Sequence, residues 1–481
     1  PIEVPLSWSS RGLCTASLGV GTPRQWVSVS VDSGSGVLWV PDEIHGKPGF
    51  NASASSTLKM DKEGTALEPY ADGLSVKGDY VHDVIALSPK EPWAKVSPLL
   101  VARNTSTGSH ETLDTEGILG LSCLSGNGNA DVEVEGFFCN YWRDQGGDGR
   151  RTLLLTFGLG ETRPRMRLGA DLREGPPEEG GVHYAGDYYS SRSSRWFIPI
   201  RALGLSQKTS SLFAAARGHQ YSLAWHVDFN TVLPRGAVGW LDSGTKGIRV
   251  SSALHALLVK NLPAGCAAES DGESVRCPCP EGPGSFPSIS LSIEARGNAR
   301  FMGLDLGADF VVCIPPSAYV SEMGGDGRTC RVAFTDGGPR QTAFDTEAIV
   351  LGVPFFRSMA VGYDVDSHLV AIGRGSLAPE CGGDAAGPCQ CLDPKNWWQT
   401  GKRLSWKRVM VSLLGVSLLS AYIFLVHSPS PQAAFIRMSL GGLRPTPPAP
   451  AATGGSPGHI ELRAGSSLFP GTGGAAGANS A

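Results

Sequence analysis

One long-range echo limits what this chain can fold into. An apolar, strand-like run followed by Asp-Ser-Gly-Ser/Thr stands at 31–35 and again at 241–245, which sets Asp32 and Asp242 210 positions apart. Downstream of each lies an apolar pair closed by glycine, Ile118-Leu119-Gly120 and then Val350-Leu351-Gly352. The two halves read as duplicated lobes. A lone Asp-Ser/Thr-Gly triplet arises by chance in roughly one chain in five of this length. Here the triplet occurs twice and nowhere else, each time after an apolar strand. Before the first, Val27, Val29 and Val31 alternate with Ser28, Ser30 and Asp32 at strand periodicity.

The chemistry of such a pair is specific. Two carboxylates close enough to share one proton cannot both ionise. One stays anionic and takes a proton from water, while the other hydrogen-bonds a substrate carbonyl. Gly34 and Gly244 keep the turns tight and let backbone approach the acids. The hydroxyls of Ser35 and Thr245 suit the outer carboxylate oxygens, and Ser33 and Ser243 complete the supporting loops. No histidine stands near a serine or cysteine in a triad-like pattern, and the dyad calls for no cofactor or metal.

Composition points the same way. Gly (63) and Pro (34) are frequent among the 481 residues, and long amphipathic helices are hard to find, which favours an all-β body with many turns. A formal net charge of −4 argues against a nucleic-acid binder. The 11 cysteines are odd in number, so at least one is left without a partner in the chain. Cys277-Pro-Cys279 and Cys389-Gln-Cys391 are too closely spaced for a zinc knuckle and lack paired histidines, so disulfides are the better reading. Sequons at Asn51 and Asn104 fit an oxidising lumen. The chain starts with Pro and shows no signal peptide, as expected of a mature or truncated form.

After residue 375 the character changes. Residues 376–405 are rich in Gly, Pro and Cys and read as a stalk. The uncharged run 409–426 follows and is read as a membrane span near the short limit, with Trp406 and Tyr422 suited to the interfaces. Lys402, Arg403, Lys407 and Arg408 precede it and oppose a type I orientation by local charge; a large translocated domain overrides them. The tail 428–481 is low in complexity and is expected to be disordered.

The stretch from Gly19-Val20-Gly21-Thr22-Pro23 through Asp32 to Leu38-Trp39-Val40-Pro41 resembles the first active-site region of pepsin-like aspartic proteases, and 237–248 resembles the second. Tyr70-Ala71-Asp72-Gly73 is similar to the family's flap hairpin, whose tyrosine closes over substrate and hydrogen-bonds a tryptophan placed like Trp39. The pairs before Gly120 and Gly352 match strands that cross behind the catalytic loops, and Ile314-Pro315-Pro316-Ser317-Ala318-Tyr319 is similar to a segment of the C-terminal lobe. The resemblance spans about 1–375; the stalk and span beyond it are similar in layout to membrane-anchored members such as β-secretase. It implies a disulfide from Cys330 to either Cys277 or Cys279. Three departures bear on pocket shape. Lys246 stands where a small polar residue is usual, Ala71 replaces a flap glycine, and 121–153 is short and carries Cys123 and Cys139. Lys246 either biases substrates toward an acidic residue on the N-terminal side of the cut or points to solvent with only its stem packed.

The expectation is an all-β, bilobed fold of pepsin type with a cleft between duplicated lobes and one C-terminal transmembrane helix. The divisions are 1–185 and 186–375 for the lobes, 376–405 for the stalk, 406–427 for the helix and 428–481 for the tail. The chain is expected to hydrolyse extended peptides with Asp32 and Asp242, as a monomeric catalytic unit that binds membrane lipid through its helix. Its expected place is a secretory or endolysosomal membrane, single-pass type I, with the catalytic part lumenal or extracellular. A catalytically silent peptide-binding member is the alternative; its usual mark, loss of one aspartate, is absent.

Overall fold

A computed structural model describes residues 2–374, apart from 11, 45–46, 71–74, 90–94, 107–116, 126–133, 144–150, 158–162, 171, 173–182, 187–195, 209–220, 230–236, 270–271, 273, 280, 295–299, 302–303, 306–309, 324–327 and 338–346. All of these residues belong to one compact unit, Pro1–Thr400. The stalk, the proposed span and the tail lie outside the described residues. Among the described residues, no helix is long and apolar enough to cross a membrane.

The described chain is mostly β, with short helices at Phe137–Arg143, Ser252–Lys260, Pro316–Tyr319 and Val353–Ser358. The alternation around the first motif becomes a strand, Gln25–Asp32, whose Val27 and Val29 face the core opposite Leu18 and Ala16 of Cys14–Val20. Apolar residues on one side of a pleated strand bury together, while the serines between them turn the other way.

Two large sheets organise the rest. The first carries Gln25–Asp32 parallel to Ile118–Gly120, which is antiparallel to Leu38–Pro41. Residues 59–69 and 75–86 form an antiparallel hairpin at its edge, with Pro69 opposite Ser75, so Tyr70 enters the hairpin tip. The second sheet repeats the central pattern: Ala237–Leu241 runs parallel to Glu347–Leu351, which is antiparallel to Ile248–Val250. The glycines closing the two apolar pairs mark close crossings. A Cβ on Gly120 would strike the backbone of Gly36 and Val37, and one on Gly352 the carbonyls of Thr245 and Gly247.

The first sheet also crosses the division drawn at 185. Met359–Asp364 pairs with Thr152–Thr156, and Leu369–Arg374 pairs with both Met359–Asp364 and His183–Gly186. The last described strands of the chain therefore complete a sheet that its first strands began.

Disulfides tie down the loops. Cys123–Cys139 joins the segment after Gly120 to the helix Phe137–Arg143. Of the two partners left open for Cys330, the structure takes Cys279. Cys277 lies directly across from Cys330 in the strand register but is bonded to Cys266 instead. Cys313 is disulfide-bonded as well, and Cys14 is a buried free thiol. The Cys279–Cys330 bridge spans 51 positions. Replacing both cysteines by serine should therefore lower the stability by roughly 4 kcal/mol in the chain-entropy model. Denaturant unfolding of the double variant checks this, and a loss below about 1 kcal/mol would show that the unfolded chain gains little freedom without the bridge.

Candidate active site

The two Asp-Ser-Gly turns meet. Asp32 ends its strand and is buried at 6% exposure, and Asp242 follows Ala237–Leu241. Each carboxylate is held in the same way by its own loop. Gly34 N–H donates to Asp32 Oδ1 at 2.7 Å, and the Ser35 hydroxyl donates to Oδ2 at 2.5 Å. Gly244 N–H donates to Asp242 Oδ1 at 2.9 Å, and the Thr245 hydroxyl donates to Oδ2 at 2.8 Å. Thr245 N–H adds a contact to Asp242 Oδ1 at 3.2 Å.

The loops also grip each other. Ser33 N–H donates to Ser243 Oγ and Ser243 N–H to Ser33 Oγ, both at 3.0 Å. Each hydroxyl then donates onward, Ser33 to the carbonyl of Leu241 at 3.0 Å and Ser243 to that of Val31 at 2.8 Å. Both serines are completely buried, so the four bonds are shielded from competing water. The sequence marks Ser33 and Ser243 as supporting residues; their reciprocal bonding across the two halves appears only in the structure. The grip leaves no space for a side chain between the acids. A Cβ on Gly34 would lie 2.5 Å from Asp242 Cγ, and one on Gly244 2.7 Å from Asp32 Oδ1. Glycine is demanded here by the neighbouring carboxylate.

Electrostatics follow from this approach. Burial, reinforced by the charge of Asp242, holds the pKa of Asp32 well above the ordinary aspartate value, despite the opposing bonds from Ser35 and Gly34. Asp32 therefore keeps its proton beyond the pH at which a free aspartate loses it. An arrangement that offers one carboxylate and one carboxylic acid side by side can accept a proton from water and donate one to a carbonyl oxygen. Among the described residues no group of three or more His, Cys, Asp or Glu is gathered to hold a metal ion.

The remaining predicted residues are less tightly grouped. Trp39 is buried in a second apolar cluster with Val37, Val76, Leu100, Ala102 and Ile118, against which Tyr70 and Tyr80 pack. The hydrogen bond expected between Tyr70 and Trp39 is not made. Trp39 Nε1 is buried without a partner among the described residues. Ala71 and Asp72 lie outside the described residues. Lys246 is exposed on the loop after Thr245. Asn51 is exposed, with its Oδ1 accepting from the Ser53 hydroxyl at 2.7 Å, and Asn104 lies opposite Lys77 in a strand pair. Sequence reasoning missed Trp196 and Tyr363, whose rings pack together in a tilted pair with centroids 4.7 Å apart. Nothing in their local sequence ties them to either motif.

Comparison with known proteins agrees with this geometry. Residues 15–144 match the family model described as eukaryotic aspartyl protease. The chain is similar to an acid protease of Saccharomycopsis fibuligera, 32% identical over 75 residues, covering 15% of this chain and 18% of that protein. It is 28% identical to endothiapepsin of Cryphonectria parasitica over 127 residues, covering 25% and 30% of the two chains. It is 22% identical to aspartic proteinase yapsin-3 of Saccharomyces cerevisiae over 390 residues, covering 76% of this chain and 66% of the relative. The matches thus span less than two thirds of each of these relatives' length.

The raised pKa of Asp32 has a consequence for stability. In the interval above the unfolded-state value, 3.8, the native protein keeps a proton that the unfolded chain has released. The contribution is fully present below that value and is lost as pH rises through the folded pKa. The stability of the wild type relative to Asp32→Asn should therefore fall as pH rises from about 3.5 toward 7. Thermal melts of both proteins across that range test this; a constant difference would mean that Asp32 is not held protonated by the fold.

Proposed function

We propose that this chain, a member of the pepsin-like aspartic protease family, is an endopeptidase that hydrolyses peptide bonds with water activated between Asp32 and Asp242. The observation that carries the reading is the pair of identically built loops, locked through Ser33 and Ser243, which presents two carboxyl groups with one shared proton. The ionised member takes a proton from the attacking water. The protonated member hydrogen-bonds the scissile carbonyl, and the proton taken from water is passed on to the leaving amine as the C–N bond breaks. Ser35, Thr245, Gly34 and Gly244 hold the carboxylates in orientation, so that little reorganisation is needed as charge moves. No covalent intermediate is formed.

The substrate in this reading is a protein or peptide segment lying extended across the dyad, between the two duplicated lobes. The hairpin entered by Tyr70 closes over it, with Trp39 supporting the base, and Lys246 stands beside the second loop. An extended strand suits such a site because its alternate side chains can enter separate pockets. The disulfides, and sequons at Asn51 and Asn104, support residence in the secretory or endolysosomal pathway, with Asn51 exposed for glycosylation. Membrane attachment is proposed from the uncharged run 409–426 and gives a type I arrangement with a lumenal or extracellular catalytic unit, monomeric in action.

Two experiments bear on this. Asp32→Asn and Asp242→Asn, each purified and shown to be folded, should lose at least about 1000-fold in kcat on a peptide library at acidic pH, since neither carboxyl alone supplies both acid and base. Near wild-type turnover in either variant would remove the dyad mechanism. Carbonate extraction of membranes from cells making the full chain should leave it in the pellet, and deletion of 406–427 should release it. Release of the undeleted chain by carbonate would exclude a membrane span.

A further inference from the structure

Tyr363 sits within the strand Met359–Asp364, opposite Leu153 on one side and Val370 on the other, and is completely buried. Its ring packs against that of Trp196 at an interplanar angle of 43°, and the Trp196 carbonyl accepts from the N–H of Leu241, the residue before Asp242. The aromatic pair therefore backs directly onto the second acid-bearing loop. The Tyr363 hydroxyl is buried, and among the described residues no hydrogen bond is closed on it. Phenylalanine would fill the same space without a buried polar atom, so the oxygen requires an explanation.

Ser33 and the carboxyl groups of Asp32 and Asp242 lie within electrostatic reach of that hydroxyl, and Leu241 links them to the aromatic pair, its carbonyl accepting from Ser33 and its N–H donating to Trp196. Its flanking neighbours in the sheet, Leu153 and Val370, and the Trp196 ring packed against it carry no charge. Burial raises the pKa of Tyr363 and the two carboxylates add to the effect, so the phenol remains a protonated donor. Ser33 has what a donor needs. Its hydroxyl donates to the Leu241 carbonyl and accepts from Ser243 N–H, which leaves one lone pair unused.

The geometry points to Tyr363 as a positioning residue for the dyad, its hydroxyl donating to the unused lone pair of Ser33 and bracing the Ser33–Ser243 grip from behind. Hydrogen bonds of this kind are often open in the unliganded site and tighten in the reacting complex. Once closed, the bond turns the positive end of the phenol dipole toward the two carboxyl groups and favours the singly ionised dyad. The inference rests on the reading of Asp32 and Asp242 as the hydrolytic pair.

Tyr363→Phe in the full chain is the test, with active sites counted by titration with a transition-state-mimicking inhibitor. The expected result is a fall in kcat per titrated site of about three- to tenfold with KM unchanged. The acidic limb of the kcat profile should also move to higher pH, because the singly ionised dyad loses a favourable dipole. A filling role alone would leave both kcat and the limb where they are. Wild-type kcat and an unmoved limb in the variant overturn the inference. Should Tyr363→Phe fail to fold, 3-fluorotyrosine at position 363 provides a stronger donor of nearly the same shape and should move the limb to lower pH; an unmoved limb overturns the inference in that form too. A wild type without inhibitor-sensitive hydrolysis overturns the dyad reading as well, whereas an active wild type beside an unaltered variant overturns the role of Tyr363 alone.

Discussion

Two serine hydroxyls carry the join between distant parts of this chain. Ser33 and Ser243 each accept the other's backbone N–H and donate to the strand leading into the other's loop. The four bonds are buried, so breaking one would strand a donor or acceptor away from water. Everything at the centre of the molecule is placed relative to this grip. The glycines after the serines are pressed against the opposite aspartates, and the hydroxyls after those glycines hold the outer carboxylate oxygens.

The grip also explains how two like-charged groups are tolerated at close range. Left to themselves, two carboxylates would separate into solvent or ionise at different positions along flexible loops. Here the backbone is fixed from both sides and one carboxyl sits in a largely dry environment, so the system relieves its repulsion by retaining a proton. The cost of that arrangement is borne by the sheets on either side, whose parallel pairings Gln25–Asp32 with Ile118–Gly120 and Ala237–Leu241 with Glu347–Leu351 seat each loop on a rigid base.

What could be read from the sequence was local chemistry that tolerates few substitutes. Asp32 and Asp242, the glycines behind them and the hydroxyls of Ser35 and Thr245 are all of types dictated by their task, and they recur at the same offsets in both halves. The alternation from Val27 to Val31 likewise announces its strand. Pairings set by distant register were not legible. Cys277 faces Cys330 across two strands yet bonds to Cys266, while Cys330 bonds to Cys279, one residue beyond the strand Val275–Pro278. Trp39 resembles a flap partner in sequence, but its indole nitrogen is buried without a hydrogen-bond partner among the described residues. Tyr363 carries no local mark, since its relation to Ser33 exists only after strands from both ends of the chain have come together.

The strands Met359–Asp364 and Leu369–Arg374 close a sheet whose other members lie near the start of the chain. During synthesis the first half emerges long before these strands do, and its sheet waits with an open edge at Thr152–Thr156. Such pairings between remote segments form slowly, because a long loop must close before any contact offsets its entropy. Tyr363 and the partner strand of the second acid loop arrive in that same late portion. A nascent chain thus carries Asp32 without the surroundings that give that carboxyl its unusual proton affinity until Glu347–Leu351 and Met359–Asp364 have left the exit tunnel.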